Sequence, residues 1–484
     1  MKSLSPTARL KDRNLLKTIL KIAKYRKAKL YLVGGYLRDI LLGREKENPD
    51  IDFCLKKGAI NFGREVARKV KGGFVILDKT HGCSRVVKKM NDKLYTLDFT
   101  DFRGKTLEDD LLHRDFTINA LSIELEKLFL DKTIENLIID PYKGKEDLKS
   151  KIIRRVHKKA FDEDPLRVLR AFSLAIIFDF KIDKETLKAI KLKAKGLSGV
   201  SYERIRDELF KILQRPNSLS YLEQLDKLKI LKIIIPEIEV MRGVKQGPYH
   251  HLDVWKHTLE TVRQLELLIA ELKNNAQVQD YLDEIISPNR SRRALIKLGA
   301  FLHDIGKPAA LRHEDGKTKF HGHERIGSDI TENIVERLKL SNDEMDSLEK
   351  MVLWHLRPGY LADNEEITPR AIFRYFRDAG EACVSILLIS IADQRATKGP
   401  LTSKTSRIHH EKISLGLIRE YFKRKKTKKP PRLINGDDLI KKFKLEPSPL
   451  IGKILREIEE LQAIGKVRNK KEALQSAKKF IKEI

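Results

Sequence analysis

The chain has 484 residues, 35% of them charged, and a formal net charge of +29, so several domains and a polyanionic partner are expected. Its three cysteines, Cys54, Cys83 and Cys383, show no CxxC or zinc-like spacing, which excludes a disulfide framework and fits a reducing cytosol. The opening MKSLSPTARLKDRN has no apolar h-region and no later run approaches a membrane span, so a cytoplasmic protein with no membrane partner is expected.

The apolar run Leu30–Val33 predicts a strand, which Gly34 and Gly35 break before Tyr36–Leu42 takes up helical apolar spacing. A second strand is predicted over Ile51–Leu55, with Asp50 and Asp52 at its start. Two residues apart on a strand, these carboxylates share a face. Such a pair can hold Mg²⁺, which in turn holds nucleotide phosphates. The Gly34–Gly35 turn precedes a helix start, where bare backbone N–H groups can meet a phosphate, and Arg38 follows on the first turn. A GG turn or a DxD pair is common alone. In the order strand, GG, helix, Arg, strand, DxD they point to metal-dependent nucleotidyl transfer.

This order resembles the polymerase β superfamily and, within it, the class II tRNA nucleotidyltransferases (CCA-adding enzymes) and bacterial poly(A) polymerases. The resemblance implies an α+β chain: a head with a small mixed sheet and helices, then all-α neck, HD and tail domains. It also implies that Asp50 and Asp52 hold two Mg²⁺ ions, one activating an RNA 3′-hydroxyl and the other steadying the leaving pyrophosphate. Asp98, in the strand-like Leu94–Thr100, is the candidate third carboxylate, although its alternation is equally that of any half-buried strand. Thr106–Leu121, TLEDDLLHRDFTINAL, resembles the family segment ending Arg-Arg-Asp-Phe-Thr-Ile-Asn-Ala. Arg114 and Asp115 would then contact triphosphate and ribose, and Asn119 would help hold the local fold. His113 stands in place of the family's first arginine. Phe116–Leu121 reads equally as a buried helix, and Asp140, Pro141, Gly144, Asp147 and Leu148 resemble the turn that closes the catalytic domain.

Glu163-Asp164-Pro165-Leu166-Arg167, followed by Arg170, carries a sharper chemical statement. Pro165 fits a first helical turn, so Asp164 falls near a helix N-terminus, and Asp164, Arg167 and Arg170 recur on one face. Aspartate only accepts and arginine only donates. Cytosine and adenine each offer an exocyclic amine beside an unprotonated ring nitrogen and satisfy both; guanine and uracil leave buried groups unpaired. An i,i+3 salt bridge is the commoner use of this spacing, but the resemblance makes it the base-recognition motif selecting CTP and ATP. Ser173 stands where relatives often carry a further arginine.

Only Gly104, Lys105 and Thr106 separate Arg103 from Leu107. In the resembled family a long loop here is associated with switching from cytosine to adenine, so a chain without it resembles the CC-adding subgroup. Surface loops also vary in length without consequence. Ser201–Leu213 is amphipathic at helical spacing and resembles the family's neck helices.

Eight of the thirteen histidines fall between His250 and His355. This uneven use suggests metal. The order His257, His303-Asp304, Asp393 resembles the HD-superfamily metal phosphohydrolases. The resemblance assigns these four residues to one ion, with His323 and His355 as candidate ligands of a second. Mn²⁺, Fe²⁺, Ni²⁺ and Zn²⁺ all suit such donors. Beyond Ala396, Lys423–Arg432 reads as a basic linker, and Leu433–Ala473 resembles the family's tRNA-binding body and tail, which contacts phosphates.

The expected domains are an N-terminal extension over 1–25, the head over 26–155, and a neck for base recognition and RNA binding over 156–238. An HD domain over 239–400 and a linker with tail over 401–484 complete them. The expected function is addition of cytidine, as CC or as full CCA, to the tRNA 3′ end from CTP and ATP. Poly(A) polymerase, an HD phosphohydrolase and an RNA-binding protein with an inactive head are the alternatives.

Overall fold

A computed structural model describes residues 12–44, 48–130, 133–314, 316–364, 366–426 and 431–483. The chain forms two compact units, residues 1–212 with 227–233 and residues 213–226 with 234–484. Among the described residues no helix is long and apolar enough to cross a membrane.

The first unit opens with α1 (Arg13–Tyr25), which buries Leu15, Leu16, Ile19, Ile22 and Ala23 at helical spacing. Residues 1–11 of the expected extension lie outside the described residues. Then follow β1 (Leu30–Val33), α2 (Gly35–Leu41), β2 (Asp50–Leu55), α3 (Ala59–Val70), β3 (Gly73–Asp78), β4 (Cys83–Met90), β5 (Lys93–Asp101), α4 (Leu107–Leu112) and β6 (Ser122–Glu124). The six strands form one mixed sheet in the order β3-β4-β5-β2-β1-β6, in which β2 and β5 are parallel and the other neighbours antiparallel.

Strand alternation separates core from site. On one face Phe53 of β2 stacks on Phe99 of β5 at 4.9 Å, and Phe62 of α3 covers Phe99 at 5.4 Å. On the other face stand Asp52 and Asp98. Thr106 caps α4 through a reciprocal capping box with Asp109, which gives the short β5–α4 link a defined end. Phe116–Leu121 is not a regular helix. A single 3₁₀ turn, Thr117–Asn119, leads into β6, whose pairing with β1 draws the backbone back to extended form.

The second unit is mainly helical. Its Cys383–Ala396 helix is apolar nearly all round and buried along its length, as expected for a central helix. The chain ends in the helices Gly436–Phe443, Pro449–Ala463 and Lys470–Glu483, which share a core of Ile434, Leu439, Ile454, Ile458, Val467, Ala473 and Ala477. The expected basic linker is corrected in part. Lys423–Lys426 form the last turn of the Lys404–Lys426 helix, where cations favour the helix dipole, and 427–430 lie outside the described residues.

Candidate functional site

Asp52 and Asp98 are register partners on β2 and β5 and line a cavity with Arg114, Asp115, Asp164, Arg167 and Arg170. Asp50 stands exposed at the start of β2, opposite Thr96. Burial raises the Asp52 carboxyl, and the charges of Asp98 and Asp50 raise it further against the pull of Arg114. Asp52 and Asp98 are hard oxygen donors of the kind Mg²⁺ takes, whereas Asp50 is not among the cavity-lining residues, and among the described residues the three carboxylates do not close to metal-ligand spacing. Arg85 of β4 meets Asp98 with two hydrogen bonds of 2.8 Å.

Gly34 has φ of +78°, which favours glycine, and a Cβ there would lie 2.9 Å from Arg114 Nη1 and 3.1 Å from Asp52 Oδ2, so both side chains would have to shift. Its N–H is not bare as the sequence suggests. It donates to the Leu121 carbonyl at 3.1 Å, because β1 runs on beside β6. Gly35 opens α2, and a Cβ there would come within 3.1 Å of Arg38 Nη2.

Arg38 is not among the cavity-lining residues. Its guanidinium lies 4.3 Å over the Phe178 ring and donates to Asn119 Oδ1 at 2.5 Å and to Asp39 Oδ1 at 3.0 and 2.8 Å. Asn119 in turn donates to Asp115 Oδ1 at 3.0 Å, and Arg170 Nε donates to Asp115 Oδ2 at 2.6 Å. Burial disfavours the Asp115 anion, yet Arg170, Asn119 and the Phe116 N–H hold its carboxyl below the usual range. A buried network thus runs from Arg38 to the cavity wall at Arg170.

Asp164 is extended (φ −148°), just before the Arg167–Phe178 helix rather than inside it. It accepts from Arg204 Nη2 at 2.8 Å and from the Leu166 N–H at 3.2 Å. Arg167 donates to the carbonyls of His113 at 2.6 Å and Ala160 at 3.1 Å. Among the described residues no ion pair joins Asp164 to Arg167, so the common salt-bridge use of this spacing is not what the side chains do. Ser173 bonds the buried Glu208. Arg103, Asp110 and Arg204 around this cavity, and Arg85 on Asp98, escape sequence reasoning. Arg85 is identifiable only through its register with Asp98, and Arg204 reads as part of a packing helix.

The second unit holds a buried cluster of His257, His303, Asp304, His323, His355 and Asp393. The ligand atoms of His257, His303 and Asp304 lie within 4.8 Å of one another, as do those of Asp304, His323 and His355, so Asp304 belongs to both groups. His257 Nε2 lies 2.9 Å from Asp393 Oδ1 and 3.5 Å from Asp304 Oδ2. His303, His323 and His355 donate Nδ1–H to the carbonyls of Ala300 (2.8 Å), Phe320 (2.9 Å) and Val352 (2.7 Å). This turns Nε2 into the cluster, where those of His323 and His355 lie 3.4 Å apart and that of His303 lies 3.2 Å from Asp304 Oδ2. Burial and the neighbouring His303 push His355 down to about 3, which keeps it a neutral imidazole. Asp304 Oδ1 and His303 Nε2 are buried without a hydrogen-bond partner, and that pattern fits divalent-metal ligands. Lys307, three residues beyond Asp304, donates to Asp304 Oδ2 and Gln246 Oε1 at 2.7 Å each.

A small mixed sheet bearing paired aspartates beside a cavity lined equally by aspartates and arginines is the architecture of a nucleotidyltransferase head. Residues 30–154 match the family model described as Poly A polymerase head domain. Residues 179–241 match the probable RNA and SrmB-binding site of polymerase A, and 326–477 a putative tRNA nucleotidyltransferase domain 2. The chain is 28% identical over 463 residues to an A-adding tRNA nucleotidyltransferase of Deinococcus radiodurans, covering 93% of this chain and 95% of that one. It is 28% identical to a CC-adding tRNA nucleotidyltransferase of Thermus thermophilus, covering 91% of each chain. A multifunctional CCA protein of Haemophilus influenzae is 31% identical across 64% of this chain and 71% of its own. The fold matches that of the Thermotoga maritima CCA-adding enzyme complexed with tRNA, with a TM-score of 0.63, 22% identity and coverage of 98% and 97%. The chain belongs to the tRNA nucleotidyltransferase family, enzymes that add nucleotides to tRNA 3′ ends.

Proposed function

We propose that this enzyme adds two cytidines to the 3′ end of tRNA from CTP, without a nucleic-acid template. The observation that carries the reading is the convergence on one cavity of Asp52, Asp98, Asp164 and Arg167. Asp50, Asp52 and Asp98 would hold Mg²⁺. When bound, the ion supplies Lewis-acid stabilisation of the phosphates and of the attacking oxygen. Arg114 and Arg170 face the cavity as cations for the triphosphate, with Asp115 aligning Arg170. Gly34 keeps space open beside Asp52, and Gly35 continues that close turn. Asp164 accepts the exocyclic amine of the base while Arg167 donates to its ring nitrogen. Arg38 and Asn119 act through Asp115, as the far end of the buried network.

Stopping at two cytidines is supported by the brevity of Gly104–Thr106, held by the capping box at Thr106. It leaves no long segment to reshape the pocket for adenine. The relatives named above include both CC-adding and A-adding enzymes, and the short link favours the former. Incubation of tRNA lacking its terminus with each labelled nucleoside triphosphate in turn tests the reading: CTP labels the tRNA, whereas GTP and UTP do not.

The domain plan of head over 26–155, neck over 156–238 and tRNA-contacting tail within 401–484 belongs to the same proposal. In the segment 239–400, the shared Asp304 and the inward Nε2 atoms support a second, HD-type phosphohydrolase centre. It would bind a divalent transition metal through His257, His303, Asp304 and Asp393, and a second through His323 and His355.

A further inference from the structure

His113 ends α4 where the resembled family carries arginine, and its surroundings join it to the proposed base reader. His113 Nδ1 lies 2.9 Å from Glu163 Oε1, and His157 Nε2 lies 3.3 Å from the same oxygen, with the two rings edge to face at 6.2 Å. The other oxygen of Glu163 lies 3.4 Å from Arg167 Nη1. The carbonyl of His113 takes the 2.6 Å hydrogen bond from Arg167 Nη2 and a second, at 3.2 Å, from Arg103 Nη1. One residue thus restrains Arg167 twice, directly through its backbone and indirectly through Glu163.

The ligand atoms of His113, His157 and Glu163 lie within 4.8 Å of one another, as a metal site would require. The tautomer argues against metal. The Lys159 N–H donates to His157 Nδ1 at 3.3 Å, which leaves the ring proton on Nε2, so that neither ring nitrogen is open to a metal; Nε2 lies near Glu163 Oε1 without a hydrogen bond to it. Burial alone raises the Glu163 carboxyl. The hydrogen bond from His113 and the charges of His113 and Arg167 outweigh it and hold the group below the usual carboxylate range. Glu163 is therefore an anion held by hydrogen bonds from the His113 imidazole and the Arg167 guanidinium, with the His157 ring beside it.

We propose that His113 clamps Glu163 so as to aim the Arg167 guanidinium, which makes His113 a positioning residue for base selection. The inference rests on the reading of Arg167 as the donor to the base. A guanidinium presents its donors in a rigid planar fork, so a small rotation changes which base edge it satisfies. Removing the ring of His113 leaves the backbone restraint and frees Glu163 to rotate, and Arg167 with it.

The test is kcat/KM for CTP and for UTP in the wild type and in His113→Ala, His113→Arg, Glu163→Gln and Arg167→Ala, with thermal melting of each. His113→Ala and Glu163→Gln are expected to lower the CTP-to-UTP ratio roughly tenfold. His113→Arg, which returns a cation to Glu163, is expected to keep it. Glu163→Gln preserves side-chain shape and decides the matter should His113→Ala fold poorly. A merely structural role lowers both kcat/KM values together and leaves the ratio unmoved. That result, alongside a relaxed ratio in Arg167→Ala, overturns the clamp while base reading stands. An unchanged ratio in Arg167→Ala overturns both.

Discussion

Asp52 on β2 and Asp98 on β5 are register partners of two parallel strands, and Arg85 closes on Asp98 from β4 with two 2.8 Å hydrogen bonds. The pairing sets two carboxylates side by side on the cavity face while Phe53 and Phe99 stack on the other. Chemistry and core are opposite sides of the same four residues.

Asp52→Ala is expected to abolish nucleotide addition, a loss on the order of a thousandfold, and Asp50→Ala to do the same. Binding of tRNA should persist, because it depends on Lys and Arg contacts to phosphate rather than on the carboxylates. Filter binding beside an incorporation assay separates the two; near-normal incorporation by either variant would remove that residue from the metal set.

Asp164→Ala and Arg167→Ala should each relax base choice, with UTP or GTP incorporated as CTP use falls, by roughly tenfold or more in the ratio. Competition between labelled triphosphates reads this directly. Base preference unchanged in both variants would leave Asp164 as no more than the partner of Arg204.

Gly34→Ala forces a non-glycine residue to φ of +78° with its Cβ 2.9 Å from Arg114 Nη1. Thermal or chemical denaturation should show a loss of about 1 kcal/mol or more, and incorporation should fall along with it. A variant as stable and active as the parent would mean that Arg114 moves aside freely.

Much of the head is legible in the sequence because its signals are local. The apolar run at Leu30, the glycine pair and the alternation around Asp50 and Asp98 each fix a strand or a turn within a few residues. What stays hidden depends on partners distant in sequence. Arg38 bonds Asn119, 81 residues away, so it joins a buried network although helical position alone suggests a phosphate contact. The Gly34 N–H is used by Leu121 because β6 lies beside β1, a pairing no short window shows. Arg85 becomes a site residue only when β4 is laid against β5 in register. The run at Lys423 looks like a linker by composition, yet it ends a long helix whose apolar side is held further back, at Leu417, Ile418, Tyr421 and Phe422.

In the second unit, His303→Ala or Asp304→Ala should remove bound transition metal, and with it any hydrolysis of a phosphate ester or 2′,3′-cyclic phosphate by metal-supplemented protein. Cytidine addition should continue, since the head's carboxylates are untouched. Metal content by elemental analysis checks the ligand assignment independently of activity. Equal loss of both activities would point to a single site or a general folding defect.

The number and identity of the nucleotides added bear most directly on the proposed function. The unmodified enzyme is supplied with CTP and ATP together and a tRNA ending at its discriminator base, and the product ends are sequenced. Two cytidines and no adenosine are predicted; a complete CCA terminus, or adenosine added in place of cytidine, would contradict it.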